Sequence, residues 1–335
     1  MSSSVLVTRR LPSSVLAKLE AAAAVDLHAA EAAISPGELR ARAADKEAIV
    51  CLLTDPIGRE LMEAAPRLKI VANVAVGYDN IDVAAARDRG IVVTNTPDVL
   101  TDSVAVFTWT LILAVTRRLA EGDRLMRRAA WKGWALDFML GTDLRGKQLG
   151  LIGFGRIGRA VAARAPAFGM RVACASSRTT SVMGGASGDR ESPGGRGPRS
   201  IDAPLVEPMS LDRLLNTSDV VSLHVPLTAD TRHLIDRRAL ARMKRSAYLI
   251  NTARGPVIDE EALAWALEQH LIAGAALDVY EHEPAVHPGL LGLDTVLLVP
   301  HLGSATTETR TAMADLAVEN VLAVLGGRPP LTPVR

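Results

Sequence analysis

The sequence predicts an α/β protein made of two parallel sheets, each covered by helices. Three observations support this fold class: short apolar runs alternate with amphipathic helical stretches, a glycine-rich turn follows one buried run, and the chain is long. At 335 residues it is about twice the usual domain length, so we expect two domains, each with its own core.

The first hundred residues contain four apolar runs that predict buried strands, separated by helical stretches. The runs are SVLVT, AIVCLLT, LKIVANV and GIVVTN. Parallel strands covered on both faces are typically this uniformly apolar. The pattern predicts one α/β domain over residues 1–101.

A second series of elements follows from Asp102. A long helical stretch to about Arg128 leads to a tryptophan-rich turn, WKGWALD, and then to six more predicted strands. The strand runs are KQLGLIG, MRVACAS, DVVSLHV, SAYLIN, AALDV and TVLLVP. This predicts a second domain over 102–299. The helical segment after Pro300 is too short for a third domain, so we expect 300–335 to return to the first, which is then discontinuous in sequence.

One segment breaks the pattern. Residues 181–208 are crowded with Gly, Pro, Ser and Arg and show no apolar periodicity, which predicts a mobile surface loop. Its arginines could reach an anionic ligand, or the segment could be a solvated insertion.

Composition excludes several classes of function. Lys and Arg number 38 against 37 Asp and Glu, so there is no bulk field to attract nucleic acid or a membrane surface. We find no stretch of the length of a signal sequence or a membrane span and expect a cytoplasmic protein. Cys51 and Cys174 lie in apolar runs, which predicts buried thiols, and no ligand cluster predicts a metal site.

The glycine turn carries the first functional signal. Gly153, Gly155 and Gly158 have the G-x-G-x-x-G spacing, after an apolar strand and at the start of a helix. Helix N-terminal amides and the helix dipole form a site for a pyrophosphate, whereas the alternative is an ordinary tight turn. In this context the motif predicts a dinucleotide-binding, Rossmann-type doubly wound sheet.

The end of the next strand bears on the choice of cofactor. A dinucleotide-binding fold places an acidic residue there to bind the ribose 2′-hydroxyl, but this chain has Ser176, Ser177 and Arg178. Two hydroxyls and a guanidinium can donate hydrogen bonds to a 2′-phosphate, the charged ones worth roughly 1.5–3 kcal/mol each. We therefore predict NADP(H) in preference to NAD(H), unless Arg178 is simply solvated.

Three later stretches, INTARGPVID, ALDVYEHEP and LVPHLGSAT, each place a polar residue just beyond a predicted strand. Arg254 suits a substrate carboxylate because its planar fork can bind two oxygens. His301 suits proton transfer, and Glu283, if bonded to the imidazole, would orient it and favour its charged form. Taken singly, each has a structural alternative: an ion pair, a turn cap and a loop histidine.

These residues match a family. The chain resembles the D-isomer-specific 2-hydroxyacid dehydrogenases over nearly its whole length, and among them most resembles glyoxylate and hydroxypyruvate reductases. The resemblance rests on an ordered set of motifs: VAVGYDNIDVAAA, GIVVTNTPDVLTD, GLIGFGRIGRAVA, NTARG, ALDVYEHEP and PHLGSAT. It implies a Rossmann cofactor domain, a smaller flavodoxin-like substrate domain and a homodimer. It also implies hydride transfer from NADPH to a small 2-oxo acid, glyoxylate or hydroxypyruvate, with His301 as proton donor.

The resemblance also implies site residues. Arg254, Glu283 and His301 are the implied catalytic residues. The implied substrate contacts are Val76, Gly77, Arg254, His301, Ser304 and Trp134, the last either reaching a neighbouring subunit's site or lying in the core. The implied cofactor contacts are Gly153, Gly155, Arg156, Ile157, Gly158, Ser176, Ser177, Arg178, His224, Val225, Pro226, Thr231, Thr252, Ala253, Asp278 and Gly303.

Two departures and two alternatives complete the expectations. Val106 stands where similar enzymes carry an acidic residue, and Pro166 predicts an early end or a kink in the helix after the glycine turn. Another 2-hydroxyacid dehydrogenase, such as a phosphoglycerate type, stays open as the function. So does a dinucleotide-sensing interaction protein, although sensing alone needs no proton relay.

Overall fold

The computed structural model describes residues 3–176 and 205–334. The chain forms two compact units: Met1–Thr101 together with Ser304–Arg335, and Asp102–Gly303. Residues 300–303, which the sequence analysis assigned to the first domain, belong to the second unit. They stay there because the N–H groups of Val299 and His301 donate to the carbonyls of Leu277 and Asp278.

The first unit contains a five-stranded parallel sheet in the order β2-β1-β3-β4-β5. Its strands are β1 (Ser4–Val7), β2 (Ala24–Leu27), β3 (Ala48–Cys51), β4 (Ile70–Asn73) and β5 (Val92–Thr94). This is the flavodoxin-like strand order. β2 was not predicted, because it is an edge strand that is half-exposed and contains Asp26, so it lacks the apolar run of a central strand.

Helices cover both faces of this sheet. They are α1 (Ser13–Glu20), α2 (Pro36–Ala43), α3 (Arg59–Ala64), α4 (Val83–Asp88) and the C-terminal helix α12 (Thr307–Leu325). Ser35, Asp82 and Thr306 cap α2, α4 and α12 by accepting backbone N–H groups. Val318 and Val321 of α12 pack in one core with strand residues such as Val5, so the chain's last helix completes the first unit's core.

The second unit contains a seven-stranded parallel sheet in the order β12-β11-β10-β9-β6-β7-β8. The strands are β6 (Gln148–Ile152), β7 (Arg171–Ala175), β8 (Val206–Pro208), β9 (Val220–Leu223), β10 (Tyr248–Asn251), β11 (Gly274–Leu277) and β12 (Val296–Leu298). The order runs outward in both directions from the boundary between β6 and β9, as in a Rossmann sheet, and the predicted fold class is confirmed.

The prediction of a loop over 181–208 was wrong at its end. β8 pairs with β7 as a parallel edge strand, with Val206 opposite Val172. Val206 is half-buried and the other two residues of β8 are exposed, so the strand gives no apolar signal. Residues 181–204 lie outside the described part of the chain.

The helices of the second unit are α5 (Thr101–Thr116), α6 (Leu119–Arg127), α7 (Arg156–Ala162), α8 (Leu211–Thr217), α9 (Arg237–Arg242), α10 (Glu260–Glu268) and α11 (Pro288–Leu291). The helical stretch predicted from Asp102 to about Arg128 is confirmed, and it is divided into α5 and α6 because Arg118 adopts a left-handed φ of 53°. Within the described residues no helix alone has the length and apolarity to cross a membrane, although α5 and α6 together, bent by 63°, meet that test by length and composition.

Two smaller predictions are confirmed. α7 ends at Ala162, and Pro166 lies in a separate 3-10 turn, Ala165–Phe168, where it needs no helical N–H partner. Cys51 and Cys174 are both buried with free thiols.

Candidate active site

The glycine turn lies where the strand order of the second sheet reverses. Gly153 follows β6 with a φ of +94°, and a Cβ there would lie 2.4 Å from the carbonyl oxygen of His224. A Cβ on Gly158 would lie 2.5 Å from the carbonyl oxygen of Gly153. Backbone crowding therefore requires glycine at both positions, and the turn is held tightly between β6 and β9.

Gly155 has a different environment. A Cβ there would meet no described atom within 4 Å, and this residue precedes α7 with no side-chain cap among the described residues. The first turn of α7, which begins with Arg156 and Ile157, therefore faces an open space that a Cβ would partly fill. An open space beside helix N-terminal amides fits the pyrophosphate of a dinucleotide.

The loop after β9 borders this turn. Burial lowers the pKa of His224 to about 4, so its imidazole is uncharged at neutral pH, and its Nε2 lies 2.9 Å from the Ser222 hydroxyl. Thr231 closes the loop by donating its hydroxyl to the Pro226 carbonyl at 2.6 Å, and Val225 packs against the core. Beyond β7, Ser176 is described, whereas Ser177 and Arg178 lie outside the described residues.

The three candidate catalytic residues follow three adjacent strands. In the register of β10, β11 and β12, Asn251 is opposite Leu277, and Leu277 is opposite Leu298. Parallel strands in register end at the same edge of a sheet. The loops that carry Arg254, Glu283 and His301 therefore leave the sheet side by side.

The Arg254 turn is shaped by its own side-chain hydrogen bonds. The Asn251 amide accepts the Ala253 N–H at 3.0 Å and donates to the Arg254 carbonyl at 2.9 Å. The hydroxyls of Thr252 and of Thr108 on α5 lie 3.0 Å apart. Arg254 also donates a guanidinium N–H to the Ala253 carbonyl at 2.9 Å, so the turn and its side chain are braced together.

Gly255 joins this turn to the loop that follows β11. A Cβ on Gly255 would lie 1.8 Å from the carbonyl carbon and oxygen of Tyr280, a distance at which no side chain can exist. The two backbones are therefore in direct contact. Arg254 is next to Gly255 in the chain, and Glu283 comes shortly after Tyr280 in the other loop. Both residues therefore lie near this backbone contact.

Glu283 and His301 form the central contact of the site. Glu283 Oε2 lies 3.0 Å from His301 Nδ1, and Glu283 Oε1 accepts the Tyr280 N–H at 3.1 Å. Burial favours the neutral carboxyl, but the hydrogen bond and charge of His301, the Tyr280 N–H and the charge of Arg254 together hold the pKa of Glu283 below its ordinary value.

Asp278 holds the turn that presents His301. Its carboxylate accepts the N–H groups of Leu302 at 2.5 Å and Gly303 at 2.9 Å, and its carbonyl accepts the His301 N–H at 2.9 Å. These bonds stabilise the left-handed φ of 53° at His301. Burial, the largest influence, raises the pKa of Asp278 in spite of the two N–H bonds.

The remaining predicted substrate contacts lie elsewhere in the chain. In the first unit, the carbonyls of Val76 and Gly77 accept the side-chain amides of Asn95 at 2.7 Å and Asn73 at 2.8 Å, and Ser304 begins the segment leading to α12. Trp134 is 80% exposed, so the alternative of a core tryptophan is wrong.

Sequence reasoning missed several residues of the site. Gly255 lies within the NTARG motif but was not singled out, and Thr108 looks in sequence like any polar residue of a buried helix. Glu260 begins α10 and is buried, which is uncommon for a glutamate and leaves no trace in sequence spacing. Within the described ranges, no group of three His, Cys, Asp or Glu residues could hold a metal ion.

The chain is similar to known proteins of one family, the D-isomer specific 2-hydroxyacid dehydrogenases. Residues 109–303 match the model of the D-isomer specific 2-hydroxyacid dehydrogenase, NAD binding domain. A glyoxylate reductase of Thermofilum pendens is 47% identical over 330 residues, which cover 97% of this chain and 92% of that protein.

Two solved structures are similar over the whole chain. One, a protein of Thermus thermophilus, has a TM-score of 0.87 and 44% identity, covering 99% of this chain and 100% of the other. The other is an NADPH-dependent glyoxylate/hydroxypyruvate reductase of Sinorhizobium meliloti in complex with NADP and malonate. It has a TM-score of 0.82 and 35% identity, covering 100% of this chain and 97% of the other.

Two alanine substitutions in the glycine turn should have different effects. Gly153→Ala should lower the melting temperature, because its Cβ would collide with backbone atoms, and overpacking of this kind costs about 1–3 kcal/mol. Gly155→Ala should leave the melting temperature almost unchanged and weaken dinucleotide binding, because its Cβ enters open space. Thermal unfolding and calorimetric titration with NADPH check both, and equal melting temperatures for the two variants would contradict the assignment.

The contact of Glu283 should make stability depend on pH. Because the folded-state pKa of Glu283 is below its ordinary value of 4.5, its ionisation stabilises the folded protein above that pH, and the contribution is lost as the pH falls through the folded-state pKa. Glu283→Gln should therefore lower the free energy of unfolding at pH 7, and the difference from the wild type should shrink in acid. Urea unfolding at a series of pH values measures this, and a difference that stays constant would refute it.

Proposed function

The chain belongs to the D-isomer specific 2-hydroxyacid dehydrogenase family of NAD(P)-dependent oxidoreductases, and from this premise we propose that it reduces glyoxylate, and next hydroxypyruvate, to the 2-hydroxy acid. The observation that carries the proposal is the 3.0 Å contact between Glu283 and His301 beside the Arg254 turn. A glyoxylate reductase at 47% identity supports the choice of substrate.

Each catalytic residue has one role in this proposal. When bound, a reduced nicotinamide supplies a hydride to the carbonyl carbon of the 2-oxo acid. Arg254 binds the substrate carboxylate with its planar fork, and His301 donates a proton to the oxygen as the carbonyl becomes an alcohol. Glu283 orients the imidazole through Nδ1 and stabilises its charged form, and Nε2 is the nitrogen that donates to the substrate in this proposal.

The cofactor would be held by the glycine turn and the loops around it. Gly153, Gly155 and Gly158 with Arg156 and Ile157 form the pyrophosphate site. The contacts to the rest of the dinucleotide are Ser176, Ser177, Arg178, His224, Val225, Pro226, Thr231, Thr252, Ala253, Asp278 and Gly303. NADP(H) is the preferred form in this proposal because two serines and an arginine follow β7 in place of an acidic residue. The NADP complex of the relative from Sinorhizobium meliloti supports this preference.

Val76, Gly77 and Ser304 of the first unit are further substrate contacts that we propose. Asn95 and Asn73 hold the carbonyls of Val76 and Gly77, which fixes the peptide planes of that loop. A fixed loop with backbone N–H groups suits a small carboxylate, and Ser304 adds a hydroxyl. The cofactor, the substrate and a second copy of the chain are the partners that we propose.

A homodimer explains the apolar surface of the second unit. Large apolar side chains are exposed on α6 and the segment after it, at Leu119, Met126, Trp131, Trp134, Leu136 and Leu140. Large exposed apolar patches on a protein mark interaction sites. Trp134 would then reach the neighbouring subunit's active site, and sedimentation equilibrium tests for the dimer.

A panel of substrates tests the reaction. Purified protein is mixed with NADPH or NADH and with glyoxylate, hydroxypyruvate, pyruvate or phosphohydroxypyruvate, and the loss of nicotinamide absorbance is followed. We expect glyoxylate to give the largest kcat/KM and NADPH to react faster than NADH. Faster reaction with phosphohydroxypyruvate would favour the phosphoglycerate type, and no reaction with any acid would favour a dinucleotide sensor.

Substitutions separate the two proposed catalytic roles. His301→Ala should lower kcat on the order of 10²–10⁴-fold, the usual contribution of a general acid, with cofactor affinity nearly unchanged. Arg254→Ala should raise KM for the 2-oxo acid and also lower kcat, because it removes binding that the transition state retains. Steady-state kinetics and calorimetric titration with NADPH measure both, and either variant with wild-type constants removes that residue from the proposal.

A further inference from the structure

A buried glutamate outside the catalytic set touches the loop that carries Glu283. Glu260 is the first residue of α10 and is only 4% exposed. Its Oε1 accepts the Glu281 N–H at 2.8 Å, and its Oε2 accepts the His287 N–H at 3.2 Å. One carboxylate therefore binds the backbone on both sides of Glu283.

Glu281 returns the contact. Its Oε2 accepts the Glu260 N–H at 3.1 Å, one of the amides that the start of a helix leaves without an intrahelical partner. Its Oε1 lies 2.6 Å from His233 Nε2 and 3.8 Å from the Arg232 guanidinium. The helix N-terminus, His233 and Arg232 offset the repulsion between the Glu260 and Glu281 carboxylates.

Burying the Glu260 carboxylate costs free energy, so the hydrogen bonds that offset this cost indicate the role of the residue. Burial is the main influence on its pKa and raises it, the charge of Glu281 adds to this, and the N–H bonds from Glu281 and His287 act in the opposite direction. A buried carboxylate is tolerated when its oxygens accept hydrogen bonds, and here the bonds come from the loop that carries Glu283. Asp259 caps α10 by accepting the Ala262 N–H, so the helix start does not need Glu260 as its cap.

We propose that Glu260 is a positioning residue for the reaction: by binding the backbone N–H groups of Glu281 and His287 it holds Glu283 within hydrogen-bond distance of His301. The inference rests on the proposed function, since it gives Glu260 a part in proton transfer. Glu283 has one further backbone anchor, the Tyr280 N–H, on the other side of the Gly255 contact. Without the Glu260 carboxylate the segment 281–287 would lose both of its backbone bonds to α10.

Glu260→Gln is the main test, with Glu261→Gln as the matched control. The glutamine keeps one acceptor oxygen but places an NH₂ group against one of the two donors, so one backbone bond is lost. Glu261 is the next residue of the same helix turn and is exposed, so its variant removes the same charge without touching the loop. Glu260→Asp is a second variant, which keeps the charge but is one methylene too short to reach both N–H groups.

In Glu260→Gln we expect the reductive kcat to fall on the order of 10-fold to 100-fold, with the NADPH dissociation constant within about twofold of the wild type. The pH at which kcat/KM has dropped to half should move downward, because His301 loses part of the carboxylate that favours its charged form. Glu261→Gln should match the wild type in all three measurements. Glu260→Asp should show the same changes, and it decides the outcome if Glu260→Gln does not fold.

A double-mutant cycle separates positioning from general stability. In a Glu283→Gln background, Glu260→Gln should change kcat by less than about twofold, because the contact on which it acts is already lost. Full additivity of the two effects on kcat would overturn the proposal, as would an unchanged pH profile in both Glu260 variants.

Amide hydrogen exchange gives a readout that does not depend on activity. In Glu260→Gln at least one of the N–H groups of Glu281 and His287, the one that faces the new NH₂ group, should exchange at least about tenfold faster than in the wild type or Glu261→Gln. If the wild type reduces no 2-oxo acid, the proposed function fails, and exchange still decides whether Glu260 holds the segment. If the wild type is active and exchange at both amides is unchanged, the role of Glu260 fails alone.

Discussion

The parallel register of β10, β11 and β12 is the constraint on which the site depends. Asn251, Leu277 and Leu298 lie side by side at the carboxyl edge of the sheet, so the three loops that follow begin from one line. Residues far apart in sequence thereby come within hydrogen-bond distance, as Glu283 and His301 do. A shift of one residue in this register would point each of these chain ends to the other face of the sheet.

Carboxylates perform two different tasks around this edge, and their surroundings tell the tasks apart. Burial acts in the same direction on all of them, and it raises the pKa of Asp278 and of Glu260, whose oxygens accept N–H groups of neighbouring loops. Glu283 differs from these two, because His301 and Arg254 supply positive charge that outweighs burial and lowers its pKa. His233 and Arg232 lower the pKa of Glu281 in the same way, but that carboxylate binds the Glu260 N–H, so the contact with His301 is what sets Glu283 apart.

Sequence patterns predicted the parts of the molecule that depend on buried runs, special turns and residue chemistry. The glycine turn was predictable because backbone crowding at Gly153 and Gly158 admits no other residue, and that need is visible as spacing. The edge strands β2 and β8 were not, since a half-exposed strand of three or four residues leaves no apolar run. In the site, Glu283 and His301 could be proposed from their chemistry and their position after predicted strands. Glu260 could not, because its importance lies in contacts with the backbone of another loop, which depend on tertiary geometry alone.

The Glu283–His301 contact lies entirely within the second unit, and this has a consequence for the proposed reaction. Glu283, His301, Asp278 and Glu260 all lie in Asp102–Gly303, and each contact among their loops is internal to that unit. The orientation of the imidazole is therefore set before any substrate binds. Preorganised groups need little rearrangement in the transition state, so the hydrogen bonds of Asp278 and Glu283 favour fast chemistry at His301 if the proposed reaction is the one this protein performs.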